Sequence, residues 1–209
     1  MHSLAGRGFV AIWNGIPADG RQDFVDWHRQ EHMPERLAIP GFLSGKRWRA
    51  DEAPLEFFTL YTLAEPEVSR SAAYLARLND PSPWTQRVMR QFQNNRRCVG
   101  GFTESFGEGL GERVLVGCLV VEATEGWAAV AAEIAALPGV AGCHLGLADQ
   151  AISALPTAER QGRDVGEPQG VLLVALARDV DVIAVREAVR ALLPAGTELA
   201  GFTEELALP

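Results

Sequence analysis

Short apolar runs alternate with amphipathic segments along the chain, and their order occurs twice. GFVAIWNGI and EFFTLYTLAE are strand-like runs in residues 1–108, and RVLVGCLVVEA and QGVLLVALARD are their counterparts in residues 109–209. Runs of this length, rich in β-branched and aromatic residues, are typical of buried strands. A Pro-Gly pair opens a further strand in each half, and the letters GFTE occur at both 101–104 and 201–204. The pattern predicts β-α-β-β-α-β twice, with GFTE in the last strand of each copy.

A β-α-β-β-α-β unit has the ferredoxin-like fold, in which helices cover only one face of the sheet. The uncovered face must be buried, and a second copy in the same chain can bury it. We therefore expect an α+β fold with two units, residues 1–108 and 109–209, packed sheet to sheet as a pseudo-dimeric α+β barrel. Because each sheet has an internal partner, the chain need not dimerise to fold, and both a monomer and a homodimer through the outer helices are possible.

Helical periodicity is clearest in the first half. Phe24 and Trp27 lie on one face of a helix predicted over residues 21–32. Pro34 lacks a backbone donor, so this helix is predicted to end or kink there, with a further short turn in PERLA. Ser82 followed by Pro83 predicts a capped second helix across PWTQRVMRQFQNN.

The second half has a long connection at about 149–169, where the first half has only a few residues. Loops of this length in compact domains are usually functional or disordered. An irregular surface loop is the favoured interpretation, and the alternative hypothesis is that the loop folds towards the mouth of the barrel. There Arg160 and Arg163 could meet an anion or acidic groups such as Glu104.

Composition narrows the functional classes. The chain has 209 residues with a net charge of −8, and the acidic excess lies in residues 109–209, which argues against nucleic-acid binding. No apolar run approaches the roughly 20 residues of a membrane span. Cys98, Cys118 and Cys143 form neither a disulfide framework nor a zinc pattern, so we expect reduced cysteines and a cytoplasmic protein.

Two histidines are the leading candidates for chemistry. His28 and His32 stand one helical turn apart, and a histidine near neutral pH can transfer protons. The alternative is that His32 is hydrogen-bonded to the backbone at the kink, and that His28 lies on a solvated helix face. No third ligand accompanies the pair in the sequence, so no metal is expected.

Further candidates follow from strand and helix positions. If Phe102 and Phe106 face the core, Glu104 shares their face and could act as an acid or base. The alternative, which is the commoner one, is that Glu104 lies at the strand end and reaches solvent. Arg87 could receive an acidic group of a substrate, although a solvated helix face is the favoured interpretation. Trp48 and Trp84 could line an aromatic pocket or simply fill the core.

The stretch FVDWHRQEHMPERLAIPGF (24–42) resembles the EthD-like family of the dimeric α+β barrel superfamily. The matching positions are Phe24, Trp27, His32, Pro34 and the pair Pro40–Gly41. The second half departs from the pattern, since aligning the two Pro-Gly pairs places Val130 opposite His32 and Glu125 opposite Trp27. A site built on this helix is therefore expected once in the chain.

The resemblance implies a superfamily with cofactor-free monooxygenases, lactone isomerases, polyketide cyclases, haem enzymes and members without known activity. We expect a cofactor-independent enzyme that carries out proton-transfer chemistry on a small hydrophobic or aromatic metabolite. His32 and Glu104 would be its catalytic residues, and the substrate would contact Trp27, His28, Trp48, Trp84 and Arg87. The alternatives are a non-catalytic binding or assembly module and, less favoured, a haem-binding or monooxygenase member.

Overall fold

The computed structural model describes residues 4–50, 55–119 and 126–209, and its eight antiparallel strands close into one barrel. The strands are β1 (Gly8–Gly15), β2 (Phe42–Ala50), β3 (Phe57–Leu63), β4 (Gln93–Gly107), β5 (Arg113–Leu119), β6 (Val140–Ala148), β7 (Gly170–Leu176) and β8 (Glu198–Leu208). All the strands that the sequence predicts are present.

Helices pack around the outside of the barrel. They are α1 (Arg21–Trp27), α2 (Met33–Leu37), α3 (Ala72–Asn79), α4 (Pro83–Met89), α5 (Trp127–Ala135), α6 (Gln150–Ser153) and α7 (Val182–Leu192), with a π turn at His28–His32 and 3₁₀ turns at Ala18–Gly20, Pro66–Arg70 and Ala158–Arg160. Across the three described ranges, none of these helices has the length and apolar character needed to cross a membrane.

Strand order around the barrel is β1-β3-β2-β8-β5-β7-β6-β4. Within residues 1–108 the order is therefore β4-β1-β3-β2, and within residues 109–209 it is β8-β5-β7-β6. We predicted two sheets packed face to face. The structure instead joins them along two hydrogen-bonded seams, β2 with β8 and β4 with β6, into one continuous barrel.

Large side chains fill the inside of this barrel. Phe9, Trp13, Trp48, Phe58 and Phe202 are each at most 2 % exposed and pack in a single cluster. Side chains pointing inward from both halves therefore form a solid core. Any site for a ligand has to lie elsewhere, on the outer face of the sheet or at a rim.

Both GFTE stretches lie in the last strand of their half, but they do not occupy equivalent positions. Phe102 pairs with Gly146, whereas Glu204 pairs with Trp48. Gly146 and Trp48 each follow a Pro-Gly proline by eight residues, so the second GFTE is displaced by two residues relative to the first.

A β-bulge also breaks the alternation that we expected in the first GFTE. The register shifts between Phe102 and Glu104, and Glu104 then pairs with Leu145, which packs outside the barrel. Phe102 packs against the inner cluster and Phe106 against the outer one, so the three residues do not share a face. The extra residue of the bulge accounts for this error.

The helices of the first half also differ from their predicted bounds. The first helix is distorted rather than ended before Pro34, by the π turn, and α2 (Met33–Leu37) supplies the further short turn predicted in PERLA. The second ends at Met89 rather than near residue 95, and Gln93 already pairs with Gly15 in the sheet. Ser82 caps it as predicted, accepting a hydrogen bond from the Thr85 amide at 3.0 Å. Sheet pairing thus overrides helical periodicity in this segment.

The long connection between β6 and β7 packs against the first half. Within it lie α6 and the 3₁₀ turn at Ala158–Arg160. Gly166 is hydrogen-bonded to the backbone of Asn95 and Arg97, which extends the sheet edge of β4. Arg160 pairs with Glu167 in the same loop, and Arg163 donates to the Glu159 carbonyl, so these arginines are bound within the loop and not to Glu104.

Candidate functional site

A small cavity lies on the outer face of the sheet in the first half. Its walls come from β1, β3 and β4, from the α1–π–α2 segment, and from α3 and α4. The loop 149–169 closes it, with Thr157, Glu159, Arg160, Arg163 and Val165 in the lining. Its volume is about 60 Å³, which is room for a few water molecules or a small organic molecule.

The π turn sets the polar side of the cavity. The Met33 amide bonds to the His28 carbonyl, five residues back, and Pro34 has no amide with which to continue the regular ladder. The widened turn leaves His28, His32 and Arg36 buried against the sheet, at 3 %, 5 % and 2 % exposure. Single π turns of this kind are frequent at functional sites.

His28 is held by two hydrogen bonds that fix its tautomer. Arg47 Nη1 lies 3.0 Å from His28 Nδ1, and Tyr61 Oη lies 3.3 Å from His28 Nε2. A guanidinium can only donate, so Nδ1 accepts and Nε2–H donates to the Tyr61 oxygen. The Tyr61 hydroxyl hydrogen is then free to point at an acceptor in the cavity.

His32 has a different environment. Its ring packs on Trp27 at a centroid distance of 4.3 Å, and Nδ1 is buried with no hydrogen-bond partner among the described residues. Burial lowers the pKa of His32 well below 6.5, and the positive charge of Arg36 lowers it further. His28 has its pKa lowered well below 6.5 in the same way, by burial and then by Arg47. Both rings are therefore neutral at pH 7.

Unpaired polar atoms concentrate around this cavity. Within the described ranges, the buried atoms without partners here are Asn14 Nδ2, His32 Nδ1, Arg36 Nη1, Asn95 Oδ1 and Thr157 Oγ1. Only three such atoms lie elsewhere in that part of the chain, and two of them form the Arg21–Glu56 ion pair at 2.5 Å. Each unpaired group costs about 1–3 kcal/mol, so five together rival the stability of a whole domain. Such a set is expected where a ligand or bound water supplies the missing partners.

Positive charge also exceeds negative charge at the cavity. Arg36, Arg97, Arg160 and Arg163 contribute guanidinium groups, whereas Glu159 is the one lining carboxylate within the described residues. Glu159 forms a buried ion pair with Arg36. Burial lowers the pKa of Arg163 to about 10, and repulsion from Arg160 and Arg97 acts in the same direction.

Three of the predicted site residues, Trp27, His28 and His32, meet at this cavity. The others lie elsewhere. Trp48 is in the barrel core, where its Nε1 donates to the Gly111 carbonyl at 3.2 Å. The Trp84 indole and the Arg87 guanidinium both bind the Asp23 carboxylate on the outer surface, at 2.8 and 3.1 Å. Glu104, beyond its β-bulge, does not line the cavity either.

Sequence reasoning did not select several residues of the site. Arg36 follows His32 by four residues and His28 by eight, and this polar stripe on a helix face was a usable signal. Nothing in the sequence indicated that Asn14 and Asn95 belong to a site, because an isolated asparagine near the end of an apolar run is usually a turn residue. Thr157 and Glu159 reach the cavity through the fold of the long loop.

The arrangement does not fit a metal ion or a haem. No group of three or more potential metal ligands occurs in the described part of the chain. Both nitrogens of His28 are engaged, and the volume of about 60 Å³ is far below the roughly 300 Å³ of pockets for drug-sized ligands. A haem is larger than such ligands.

No protein-family model and no curated protein matches the sequence significantly. Solved structures do match over nearly the whole chain. An anthrone oxidase-like protein aligns with a TM-score of 0.59 at 9 % identity, covering 97 % of this chain and 92 % of the other. A protein from Lactobacillus acidophilus NCFM, described as a putative monooxygenase, aligns with a TM-score of 0.56 at 7 % identity, covering 97 % and 95 %.

A chlorite dismutase variant from Candidatus Nitrospira defluvii aligns with a TM-score of 0.51 at 10 % identity, covering 95 % of this chain and 92 % of that one. At such identities the likeness concerns the fold alone. The chain thus has an eight-stranded antiparallel barrel with outer helices, a fold that it shares with these solved structures.

Proposed function

We propose that the cavity is the active site of a cofactor-independent enzyme. It would move a proton on a small hydrophobic or aromatic metabolite, as isomerases and cyclases do. The observation that carries the proposal is the set of five buried, unpaired polar atoms around one cavity, with a neutral histidine among them. Apolar walls from residues such as Phe24, Phe92 and Met89 suit a substrate that is largely hydrocarbon.

In this mechanism His32 is the base and then the acid. Its neutral ring takes a proton from a carbon next to a carbonyl group, and the C–H electron pair moves to form a C=C bond and an enolate oxygen. The Arg36 guanidinium and the Tyr61 hydroxyl are placed to stabilise the charge on that oxygen. The imidazolium then returns the proton to a different carbon or oxygen, which completes an isomerisation.

His28 serves as a positioning residue. Both of its nitrogens are used, so it cannot exchange protons with a substrate without losing a hydrogen bond. Its bond to Tyr61 leaves the hydroxyl hydrogen free for the substrate. Its ring also stacks near His32, at a centroid distance of 5.7 Å. Glu104 has no part in this chemistry, because it does not line the cavity.

We also infer that the chain is a tandem duplication of a ferredoxin-like unit, divided at about residue 108 and related to the EthD-like family. What supports this is the recurrence of the strand order, β4-β1-β3-β2 and β8-β5-β7-β6. The GFTE repeat is a weaker argument, since its two copies differ by two residues in register. A structure-based alignment of residues 4–108 with 109–209 that failed to match the four strands would remove this inference.

Hydrogen exchange with solvent tests the catalytic proposal before any product is known. A pool of small carbonyl compounds is incubated with the protein in D₂O, and mass spectrometry records which of them gains deuterium at carbon. We expect exchange with the natural protein and at least a hundredfold slower exchange with His32→Gln, since general bases contribute about 10²–10⁴-fold. Arg87→Gln, on the outer surface, is the matched control and should exchange normally.

Two alternatives give other results in the same experiment. A ligand that binds without exchange, in both the natural protein and His32→Gln, would favour a non-catalytic binding module. Two of the fold neighbours are described as monooxygenase or oxidase-like, which is the reason to run the assay with and without dioxygen. Product that forms only when dioxygen is consumed would favour a cofactor-free monooxygenase, in which proton removal precedes reaction with oxygen.

A further inference from the structure

We propose that the ligand of this cavity is a carboxylic acid that carries a hydroxyl group close to its carboxylate. The inference deepens the proposed function and uses the same cavity, but it concerns binding and does not require turnover. Three observations carry it: the charges that line the cavity, the kinds of unpaired atom, and the space available inside and outside.

Charge is the first observation. Four guanidinium groups line the cavity and one carboxylate, Glu159, faces them within the described residues. Arg160 has a further partner in Glu167, but Arg36 keeps Nη1 unpaired although the residue is 2 % exposed. Buried guanidinium groups are strongly disfavoured unless an anion satisfies them. A single carboxylate from a ligand would reduce the excess and take the free Nη1 donor of Arg36.

The unpaired atoms determine which hydrogen-bonding groups the ligand must carry. Arg36 Nη1 and Asn14 Nδ2 can only donate, and they require an acceptor such as a carboxylate. Asn95 Oδ1 can only accept, and it requires a hydrogen-bond donor on the ligand. Thr157 Oγ1 can do either. A simple carboxylate would leave Asn95 unsatisfied, whereas a hydroxy acid offers both an anionic acceptor and a hydroxyl donor.

The space divides into two compartments. The inner cavity of about 60 Å³ lies beside an outer groove of about 690 Å³, and Met89, Glu159 and Arg163 line both. Arg163 donates to the Glu159 carbonyl at 2.8 Å and contacts Met89 Sδ at 3.5 Å. The inner cavity accommodates the polar end of an acid, and the rest of a larger molecule extends past Met89 and Arg163 into the groove.

Binding measured by calorimetry at pH 7 tests the proposal with two matched series. The small series is lactate, propionate and lactamide, in which the second lacks the hydroxyl and the third lacks the charge. The larger series is mandelate, phenylacetate and mandelamide, which adds a phenyl ring for the groove. We expect each hydroxy acid to bind at least tenfold more tightly than both of its analogues, because a buried partner left unpaired weakens binding by this much or more.

Variants place the acid within the site. Arg36→Met should abolish binding, but it also leaves Glu159 unpaired and can unfold the protein. Asn14→Leu avoids this difficulty, since Asn14 Nδ2 has no partner to lose, and it should weaken lactate binding at least tenfold while the protein remains folded. Arg87→Met, on the outer surface, should bind as the natural protein does.

Several results would overturn the inference. Equal binding of the acid and the amide would remove the role of the charge, and equal binding of lactate and propionate would remove the role of the hydroxyl. The inference would also be rejected if inorganic phosphate bound more tightly than lactate and mandelate, or if none of the six compounds bound. If hydroxy acids bind but no compound gains deuterium, the proposed catalysis is rejected and this inference stands. If a neutral compound gains deuterium and binds more tightly than the acids, this inference is rejected and the proposed catalysis stands.

Discussion

The two halves of the barrel use the same strand order to build opposite environments. Outside β1, β3 and β4 of the first half lies the polar cavity with its buried histidines and arginines. Outside β5 and β7 of the second half, Leu115, Ile134, Leu172 and Val174 pack against one another without exposure. One scaffold thus supports a potential site on one side and a solid core on the other.

Equivalent positions show how this difference is encoded. The two halves can be aligned by their strand registers and their Pro-Gly pairs. In this alignment Leu145 is the counterpart of Arg47, and Val174 is the counterpart of Tyr61. In the helix, Val130 is the counterpart of His32, and Ile134 is the counterpart of Arg36. In the first strand of each half, Leu119 is the counterpart of Asn14. Each of these five polar residues of the first half therefore has an apolar counterpart in the second half. Since buried polar groups without partners destabilise a fold, the first half retains them for a reason other than stability.

Breaking the buried ion pair should give the largest effect on stability. Arg36→Met removes the partner of Glu159, which is about 7 % exposed, and an uncompensated buried charge costs roughly 3–5 kcal/mol. The double variant Arg36→Met/Glu159→Leu copies the apolar second half and should recover most of this loss. Urea unfolding followed by circular dichroism measures both, and a single variant within about 1 kcal/mol of the natural protein would show that Glu159 is well solvated.

Truncating a helical side chain to alanine should destabilise the second half more than the first, and both losses should be smaller than that from breaking the ion pair or similar to it. Ile134→Ala opens a void in the second-half core and should cost roughly 2–5 kcal/mol. His32→Ala in the first half should cost less than about 1 kcal/mol, because the ring already borders a cavity and its Nδ1 has no partner to lose. The same unfolding measurement compares them. Equal losses would mean that His32 has a structural role, as in the alternative considered from the sequence.

Acid should destabilise the first half more than the second. Burial depresses the folded pKa of His28 and His32 below 6.5, so the unfolded chain binds more protons between 6.5 and the folded pKa values. The free energy of unfolding therefore falls as pH drops below 6.5, by up to about 1.4 kcal/mol per pH unit for each histidine. In the second half, burial also lowers the pKa of His144, but its bond to the Glu108 carbonyl opposes the shift.

A comparison of His32→Gln with His144→Gln checks this assignment. Thermal unfolding between pH 7.5 and 5.5 should show a shallower pH slope for His32→Gln than for the natural protein, and a smaller change for His144→Gln. An unchanged slope in His32→Gln would show that His32 titrates with an ordinary pKa, and the neutral base of the proposed mechanism would lose its support.

The sequence predicted the barrel because its signals are periodic and repeated. Apolar runs such as EFFTLYTL, the two Pro-Gly pairs and the Ser82 cap each have a local physical cause that survives folding. The placement of Trp27, His28 and His32 at one site followed from a helical face. These parts of the structure depend on residues that are near one another in the chain.

Errors occurred where distant contacts decide the outcome. Glu104 was assigned a face by strict alternation, and a single bulge opposite Leu145 reversed it. For Trp48 the sequence allows either a pocket or the core, and the closed barrel places it in the core. Thr157 and Glu159 join the site through a loop whose path depends on pairing with β4, a contact between residues about 70 apart in sequence. None of these outcomes has a local signature.

The smallest expected change in stability comes from Asn14→Leu, and it tests the comparison most directly. Asn14 is 1 % exposed, its Nδ2 is unpaired, and its counterpart in the second half is Leu119. Replacing an unsatisfied amide with an apolar group of similar size should leave the free energy of unfolding unchanged or raise it by up to about 1 kcal/mol.

The same variant should lose function. If Asn14 is kept for a ligand, the more stable Asn14→Leu protein should bind hydroxy acids at least tenfold more weakly and exchange deuterium more slowly. Leu119→Asn in the second half is the reciprocal change, and it should destabilise the protein by about 1–3 kcal/mol without creating a site, because Leu119 belongs to a cluster of packed apolar side chains. Calorimetry and urea unfolding on the three proteins decide the matter. If the Asn14→Leu protein is instead destabilised and binds normally, Asn14 stabilises the fold and does not bind a ligand. The unpaired atoms of the first half would then not mark a functional difference between the two halves.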